Sequence, residues 1–143
     1  MKKGATHKGT GNTNSDYYAF GANVVAPLHG KVIKVVERYT DNTPGEMDEL
    51  HPAGNYVIIE HPQYEYSVLA HFQEGSIVVR EGDEVTEGQL LGKCGNSGNS
   101  SEPHIHFHVM DKASMEDATS IRISFQYLKE PVQGDTVAPL KEE

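Results

Sequence analysis

The chain has 143 residues, a formal net charge of −9 at pH 7 and a single cysteine, Cys94. This length fits one domain better than two. The acidic balance argues against a nucleic-acid binder, which neutralises phosphates with lysine and arginine, and the lone cysteine rules out an intramolecular disulfide. No apolar run approaches the roughly 18 residues of a membrane span. The first residues also lack the apolar segment of a signal peptide.

The first half of the chain predicts short strands separated by turns. Residues 1–16 are mostly Gly, Thr, Asn, Lys and His and predict a flexible N-terminal arm. β-Branched runs predict strands at 24–26 and 30–36. Residues 39–53 form an acidic insertion with Pro-Gly punctuation. Because loops of this length are uncommon inside a compact domain, this insertion is a candidate for a functional wall.

The second half continues this pattern. Two runs at 55–61 and 64–72 predict a hairpin around Pro62, and residues 95–102 form a polar loop. A further strand is predicted at 121–125. No helix of ordinary length is apparent, so the fold class is all-β: a small antiparallel β-sandwich or barrel-like domain with long loops.

The most informative segment is residues 103–109, Pro-His-Ile-His-Phe-His-Val. Side chains alternate between the two faces of a strand. His104, His106 and His108 therefore share one face, and the apolar residues between them face a core. Imidazole is the commonest metal ligand in proteins and titrates near neutral pH. The strand thus predicts a metal or acid/base site on a rigid support.

Five segments follow one another in an informative order: residues 24–32 (an Ala-Pro-x-x-Gly-x-Val strand pair), 54–61, 69–72, 82–92 and 95–107. In this order they resemble the lysostaphin-like zinc endopeptidases, which cut peptide cross-links of bacterial cell walls. The resemblance implies the duplicated hybrid motif fold, with a domain over residues 17–128 and a C-terminal tail over 129–143.

The resemblance also implies roles for individual histidines. By position, His106 corresponds to a zinc ligand, and His104 to an active-site acid/base that steadies the transition state. His71 matches a further active-site histidine. One zinc ion is the implied cofactor, and a peptidoglycan peptide is the implied substrate. Zinc lowers the pKa of bound water to about 7 and polarises a carbonyl, so the implied chemistry is hydrolysis of an amide bond.

The family takes two more zinc ligands from a His-x-x-x-Asp motif near the domain start, and this sequence has no such motif. The available candidates are His7 and Asp16. The alternative for Asp16 is a turn residue that caps its own backbone, and the alternative for His7 is a solvated residue of the arm. A catalytic zinc normally has three protein ligands, so the sequence leaves the completeness of the metal site open.

Asn96 and Ser97 are candidate substrate-binding residues of the polar loop. The alternative is that this loop only folds tightly and orients Pro103 and His104. His108 shares the histidine face but is expected to lie beyond the site.

Three functions remain open: a zinc endopeptidase, a non-catalytic member that binds wall peptides or regulates a partner hydrolase, and a biotinyl- or lipoyl-type carrier. The carrier is disfavoured because no lysine stands between its characteristic neighbours. We expect a monomer that works outside the cytoplasm or in the cell envelope, as the family does, although no signal peptide is visible.

Overall fold

A computed structural model describes residues 5–116 and 118–121. In these ranges the secondary structure consists of short strands and two three-residue 3-10 turns, Asn14–Asp16 and Pro62–Tyr64. The all-β prediction is confirmed. The strands are β1 (Asn23–Val25), β2 (Gly30–Val36), β3 (Tyr56–His61), β4 (Glu65–Ala70), β5 (Glu84–Val85), β6 (Leu90–Lys93), β7 (His106–Met110) and β8 (Ser120–Ile121).

The described strands form two antiparallel sheets. The larger sheet has the order β5-β2-β3-β4-β7-β8, and β1 pairs with β6 in a second, two-stranded sheet. The predicted hairpin is β3 and β4, joined by the Pro62–Tyr64 turn. In the middle of the large sheet, Tyr56 lies opposite Ala70, and Ala70 lies opposite His106. This register puts β7, the strand that carries His106 and His108, next to the hairpin.

One face of the large sheet packs into the main core. Val57, Ile59 and Leu69 alternate with residues of the opposite face and join Phe72 and Leu91 in one buried cluster. Ile105 and Phe107 pack against the same cluster, as the alternation of the histidine strand predicts. Full burial of each large apolar side chain contributes about 1.5–3 kcal/mol. The core therefore holds β7 in place through its apolar face.

The N-terminal residues of the described range fold back on the domain. The amide of Tyr18 donates to the carbonyl of Thr6, and the amide of Lys8 donates to that of Asp16. His7 and Tyr17 form an isolated antiparallel bridge. The predicted domain boundaries stay predictions. The predicted tail, 129–143, lies outside the described residues, as do residues 122–125 of the last predicted strand. No helix among the described residues has the length and apolarity to cross a membrane.

Candidate functional site

The second face of the large sheet forms the floor of a groove of about 660 Å³. This floor runs across four strands, from β2 at one side to β7 at the other. Its side chains come from two rows of cross-strand neighbours, in which every residue except the buried Ile58 lines the groove, so its composition follows largely from the register. The rows are Val36–Tyr56–Ala70–His106 and Lys34–Ile58–Val68–His108.

The insertion at 39–53 supplies one wall of this groove. Its two ends meet where the rings of Tyr39 and His51 stack with centroids 4.5 Å apart. The Nδ1 atom of His51 lies 2.9 Å from the Oδ2 atom of Asp48. This hydrogen bond lowers the pKa of Asp48. The sequence analysis did not identify these residues. An aromatic residue and a histidine near the two ends of one insertion could have indicated that the ends meet.

His71 directly follows β4 and has a left-handed backbone, with φ of 71°. Its amide donates to the carbonyl of Ala53. Its Nδ1 atom lies 2.7 Å from the carbonyl oxygen of Ser97. Since a carbonyl only accepts, Nδ1 carries the hydrogen and the lone pair is left on Nε2. A left-handed conformation is unfavourable for a residue with a side chain, so its surroundings must hold it in place.

The environment of His71 keeps its ring neutral. Its pKa is lowered to about 4, mainly by burial; the hydrogen bond to Ser97 opposes this shift, and the charges of His104 and His106 add to it. The side chain is only 6% exposed. At neutral pH His71 is therefore a hydrogen-bond acceptor at Nε2.

The ring of His104 is also held at its Nδ1 atom, here by residues of the polar loop. Its Nδ1 atom lies 2.8 Å from the carbonyl oxygen of Glu102 and 3.1 Å from the Oγ atom of Ser100. Its Nε2 atom is therefore the free nitrogen when the ring is neutral. The ring centroids of His71 and His104 are 4.7 Å apart. The structure thus brings together the two histidines that the sequence predicted to be catalytic.

His106 and His108 extend this group along β7. The Nε2 atom of His106 lies 2.8 Å from the Nδ1 atom of His108, and the rings of His71 and His106 are 6.2 Å apart. Burial, and then the neighbouring His104, lowers the pKa of His106. Burial, and then His106, lowers that of His108. The expectation that His108 lies beyond the site is wrong, because His108 lines the groove and contacts His106.

The remaining predicted metal ligands lie in the N-terminal segment. The ring of His7 lies against that of Tyr17, with centroids 5.0 Å apart, and Asp16 ends the first 3-10 turn. Within residues 5–116 and 118–121, no group of three or more His, Cys, Asp and Glu side chains is arranged to hold a metal ion. The donors in this part of the chain therefore do not fit a three-ligand catalytic zinc site. Ligation by His106, His7 and Asp16 stays a prediction.

Asn96 and Ser97, predicted to bind substrate, are both fully buried. The Oγ atom of Ser97 donates to the carbonyl of Phe72 and accepts from the amide of Asn55. The side-chain amide of Asn96 donates to Asn14. Their burial favours a structural role: they hold the polar loop in place, and the carbonyl of Ser97 in this loop binds His71. Direct contact with a substrate stays a prediction.

The pH dependence of stability tests the state of His71. Its pKa in the folded protein is below the 6.5 of an exposed imidazole, so the unfolded chain binds the proton more readily. The stability that neutral His71 contributes is complete above about pH 6.5 and is lost as the pH falls toward about 4. Between about pH 7.5 and 4.5, the protein is expected to lose about 2.5 kcal/mol more unfolding free energy than His71→Gln.

Urea unfolding at the two pH values measures this difference. His29→Gln is the matched control, because His29 is exposed, and this variant is expected to follow the unmodified protein. Identical pH dependence in the His71→Gln variant and the unmodified protein would show that His71 is not buried in its neutral form.

Comparison with known proteins assigns this chain to a family. The profile of peptidase family M23 matches residues 7–118. The chain belongs to this family. The M23 domain is similar to the peptidoglycan DD-endopeptidase ShyA of Vibrio cholerae, with 33% identity over 78 residues that cover 54% of the chain and 18% of ShyA. The chain spans about a fifth of the length of the curated relatives ShyA and ShyB.

Solved structures agree with this assignment. A zinc-containing peptidase from Vibrio cholerae superposes with a TM-score of 0.52 and 28% identity, covering 71% of this chain and 26% of that one. The catalytic domain of lysostaphin from Staphylococcus simulans superposes with a TM-score of 0.52 and 24% identity, covering 76% and 78% of the two chains. The second likeness shows the fold alone. The predicted relationship to the lysostaphin-like peptidases is confirmed.

Proposed function

We propose that this M23 domain hydrolyses an amide bond in the peptide part of peptidoglycan, bound in the groove above β2, β3, β4 and β7. The observation that carries the proposal is the pair formed by His71 and His104. Their rings lie 4.7 Å apart, and each Nδ1 atom is held by a backbone carbonyl. Relatives named as peptidoglycan DD-endopeptidases support the substrate class.

The two histidines are suited to complementary tasks. Amide hydrolysis needs a group that takes a proton from water and a donor near the developing oxyanion. His71 is neutral and buried, so its Nε2 atom accepts a hydrogen bond. His104 is more exposed, and its Nδ1 hydrogen points at the carbonyl of Glu102. The protonated imidazolium form carries a second hydrogen, on Nε2, and this hydrogen can be donated to an oxyanion. The fixed tautomers orient both groups before a substrate binds.

Zinc dependence is a separate part of the proposal. The family implies zinc, and a structural relative is described as zinc-containing. Because the donors of the described residues do not form a three-ligand group, we assign no step of the reaction to a metal held by them. The number of zinc ions per chain is therefore something to measure.

The lack of a three-ligand metal group among the described residues favours a second candidate function. A member of the family without a complete metal site keeps the groove and the histidines but binds wall peptides without cutting them. Either function acts on peptidoglycan, so both imply a location in the cell envelope or outside the cell.

A cleavage assay with His104→Ala separates the two functions. Purified peptidoglycan is incubated with the protein, with and without added zinc, and released fragments are quantified by mass spectrometry. The unmodified protein is expected to release fragments, and His104→Ala to lower the rate by about 100-fold or more, the usual range for loss of an acid/base group. Elemental analysis of the same samples gives zinc per chain.

His29→Ala is the control, since His29 is an exposed residue of the connection between β1 and β2 and does not line the groove, and its rate is expected to be unchanged. Failure to release fragments with zinc present would contradict the hydrolase proposal. If the protein still binds peptidoglycan in that case and contains far less than one zinc per chain, the second candidate is the correct one.

A further inference from the structure

The groove has a basic end on the strand farthest from the histidines. Lys34 and Arg38 both line it from β2 and the segment that follows, whereas His106 and His108 line it from β7. The chain as a whole carries a net charge of −9. Glu116 is the one carboxylate among the lining residues in the described part of the chain. Two cations in the groove of an acidic protein are a local feature that can select an anionic ligand.

The guanidinium group of Arg38 is positioned in advance. Its Nε atom donates to the Oη atom of Tyr39 at 3.3 Å, and its Cζ atom lies 5.4 Å from the centroid of the Tyr39 ring. The backbone amide of Arg38 donates to the buried Oδ1 atom of Asn55 at 2.9 Å. These contacts use the Nε donor and leave the terminal nitrogens for a ligand.

Within the described residues, Lys34 and Arg38 also have no carboxylate partner within 4 Å. In the described part of the chain, the ion pair within 4 Å is that of Asp48 and His51, and neither Lys34 nor Arg38 takes part in one. Both side chains are exposed. A planar guanidinium binds a carboxylate through two parallel hydrogen bonds, and an ammonium group adds a mobile positive charge. Each of the two side chains therefore has the chemistry to bind a carboxylate.

The geometry of the sheet gives the distance across the floor from Lys34 to His108. Lys34 and His108 end the same cross-strand row, three strand spacings apart. At about 4.8 Å per spacing, the backbones are about 14 Å apart. An extended peptide covers about 3.3–3.6 Å per residue, so about four residues cross the floor.

We infer that Lys34 and Arg38 form a subsite that selects peptides with a free carboxylate at the β2 edge of the groove. This inference rests on the proposed function and deepens it, because it names an acidic stem peptide, rather than a neutral cross-bridge such as oligoglycine, as the ligand class.

Binding of two matched peptides tests the subsite. The probes are an uncross-linked peptidoglycan stem tetrapeptide with free carboxylates and the same peptide with its carboxylates amidated. Isothermal titration calorimetry gives Kd for each. The unmodified protein is expected to bind the free-carboxylate peptide about tenfold more tightly, with Arg38→Gln and Lys34→Gln each raising its Kd about three- to tenfold. The double variant is expected to bind both peptides equally.

Lys31→Gln is the matched control, because Lys31 is an exposed lysine of β2 that does not line the groove. Equal Kd values for the two peptides with the unmodified protein, or an equal loss in Lys31→Gln, would overturn the subsite while the proposed function stands. Failure to bind either peptide would overturn both. Thermal unfolding checks that each variant folds, and Lys34→Gln alone decides the test if Arg38→Gln does not.

Discussion

Replacing Gly54 by alanine is expected to lower the unfolding free energy by about 3 kcal/mol or more. Gly54 has a φ of +57°, and a Cβ atom built on it would lie 2.5 Å from the carbonyl carbon of Ser97 and 2.6 Å from the amide nitrogen of Gly98. These are backbone atoms of a packed loop, so they cannot rotate away as a flexible side chain does. Urea unfolding of the purified variant measures the loss.

Gly88→Ala separates the steric effect from the backbone effect. Gly88 has a similarly positive φ of +82°, but its Cβ atom would meet nothing within 4 Å. This variant is therefore expected to lose only about 1–2 kcal/mol, the cost of a left-handed backbone for a residue with a side chain. Equal losses in the two variants would show that the contact between Gly54 and the 97–98 backbone is not what limits this position.

The same contact links stability to the site. The carbonyl of Ser97 accepts the Nδ1 hydrogen of His71, so a shift of the 97–98 backbone also releases the ring that the proposed hydrolysis uses. The folded fraction of Gly54→Ala is accordingly expected to have lower activity than the folded fraction of Gly88→Ala. The glycine acts on function through the loop rather than through any contact with a substrate.

The strands were largely predictable because their pattern is local. Alternation of apolar and polar residues over 103–109 correctly predicted that Ile105 and Phe107 face the core. The hairpin of β3 and β4 followed from two β-branched runs around Pro62. In contrast, the prediction that His71 and His104 share one site came from the resemblance to a family, because no periodicity relates positions 33 residues apart in the chain.

Contacts between distant loops could not be predicted from local pattern. The meeting of residues 52–55 with 97–99 depends on backbone hydrogen bonds such as that from Asn99 to Pro52, which leave no periodic trace in the sequence. For the same reason the burial of Asn96 and Ser97 was not foreseen, since polar residues in a glycine-rich loop usually indicate exposure. The inferred role of Lys34 likewise depends on the register across four strands.

Asn55 is a clear case of a buried residue that organises both loops. Its side chain is fully buried. The Oδ1 atom accepts hydrogen bonds from the amides of Arg38 and Tyr39, and the Nδ2 atom donates to the carbonyls of Tyr39 and Phe72. One side chain thus connects the start of the groove wall to Phe72, the residue directly after His71.

Asn55→Ala is expected to lower the unfolding free energy by about 4 kcal/mol or more, because it leaves two amides and two carbonyls without their partner, and each unsatisfied buried group costs about 1–3 kcal/mol. Asn23→Ala, at an exposed position of β1, is the control and is expected to change it by less than about 0.5 kcal/mol. Urea unfolding compares the two variants. A loss below about 1 kcal/mol in Asn55→Ala would mean that water replaces these hydrogen bonds, and hence that the Arg38–Tyr39 segment is not held to the sheet by Asn55. A large loss, together with weaker binding of the free-carboxylate peptide by the folded fraction, would connect this buried amide to the position of Arg38 in the groove.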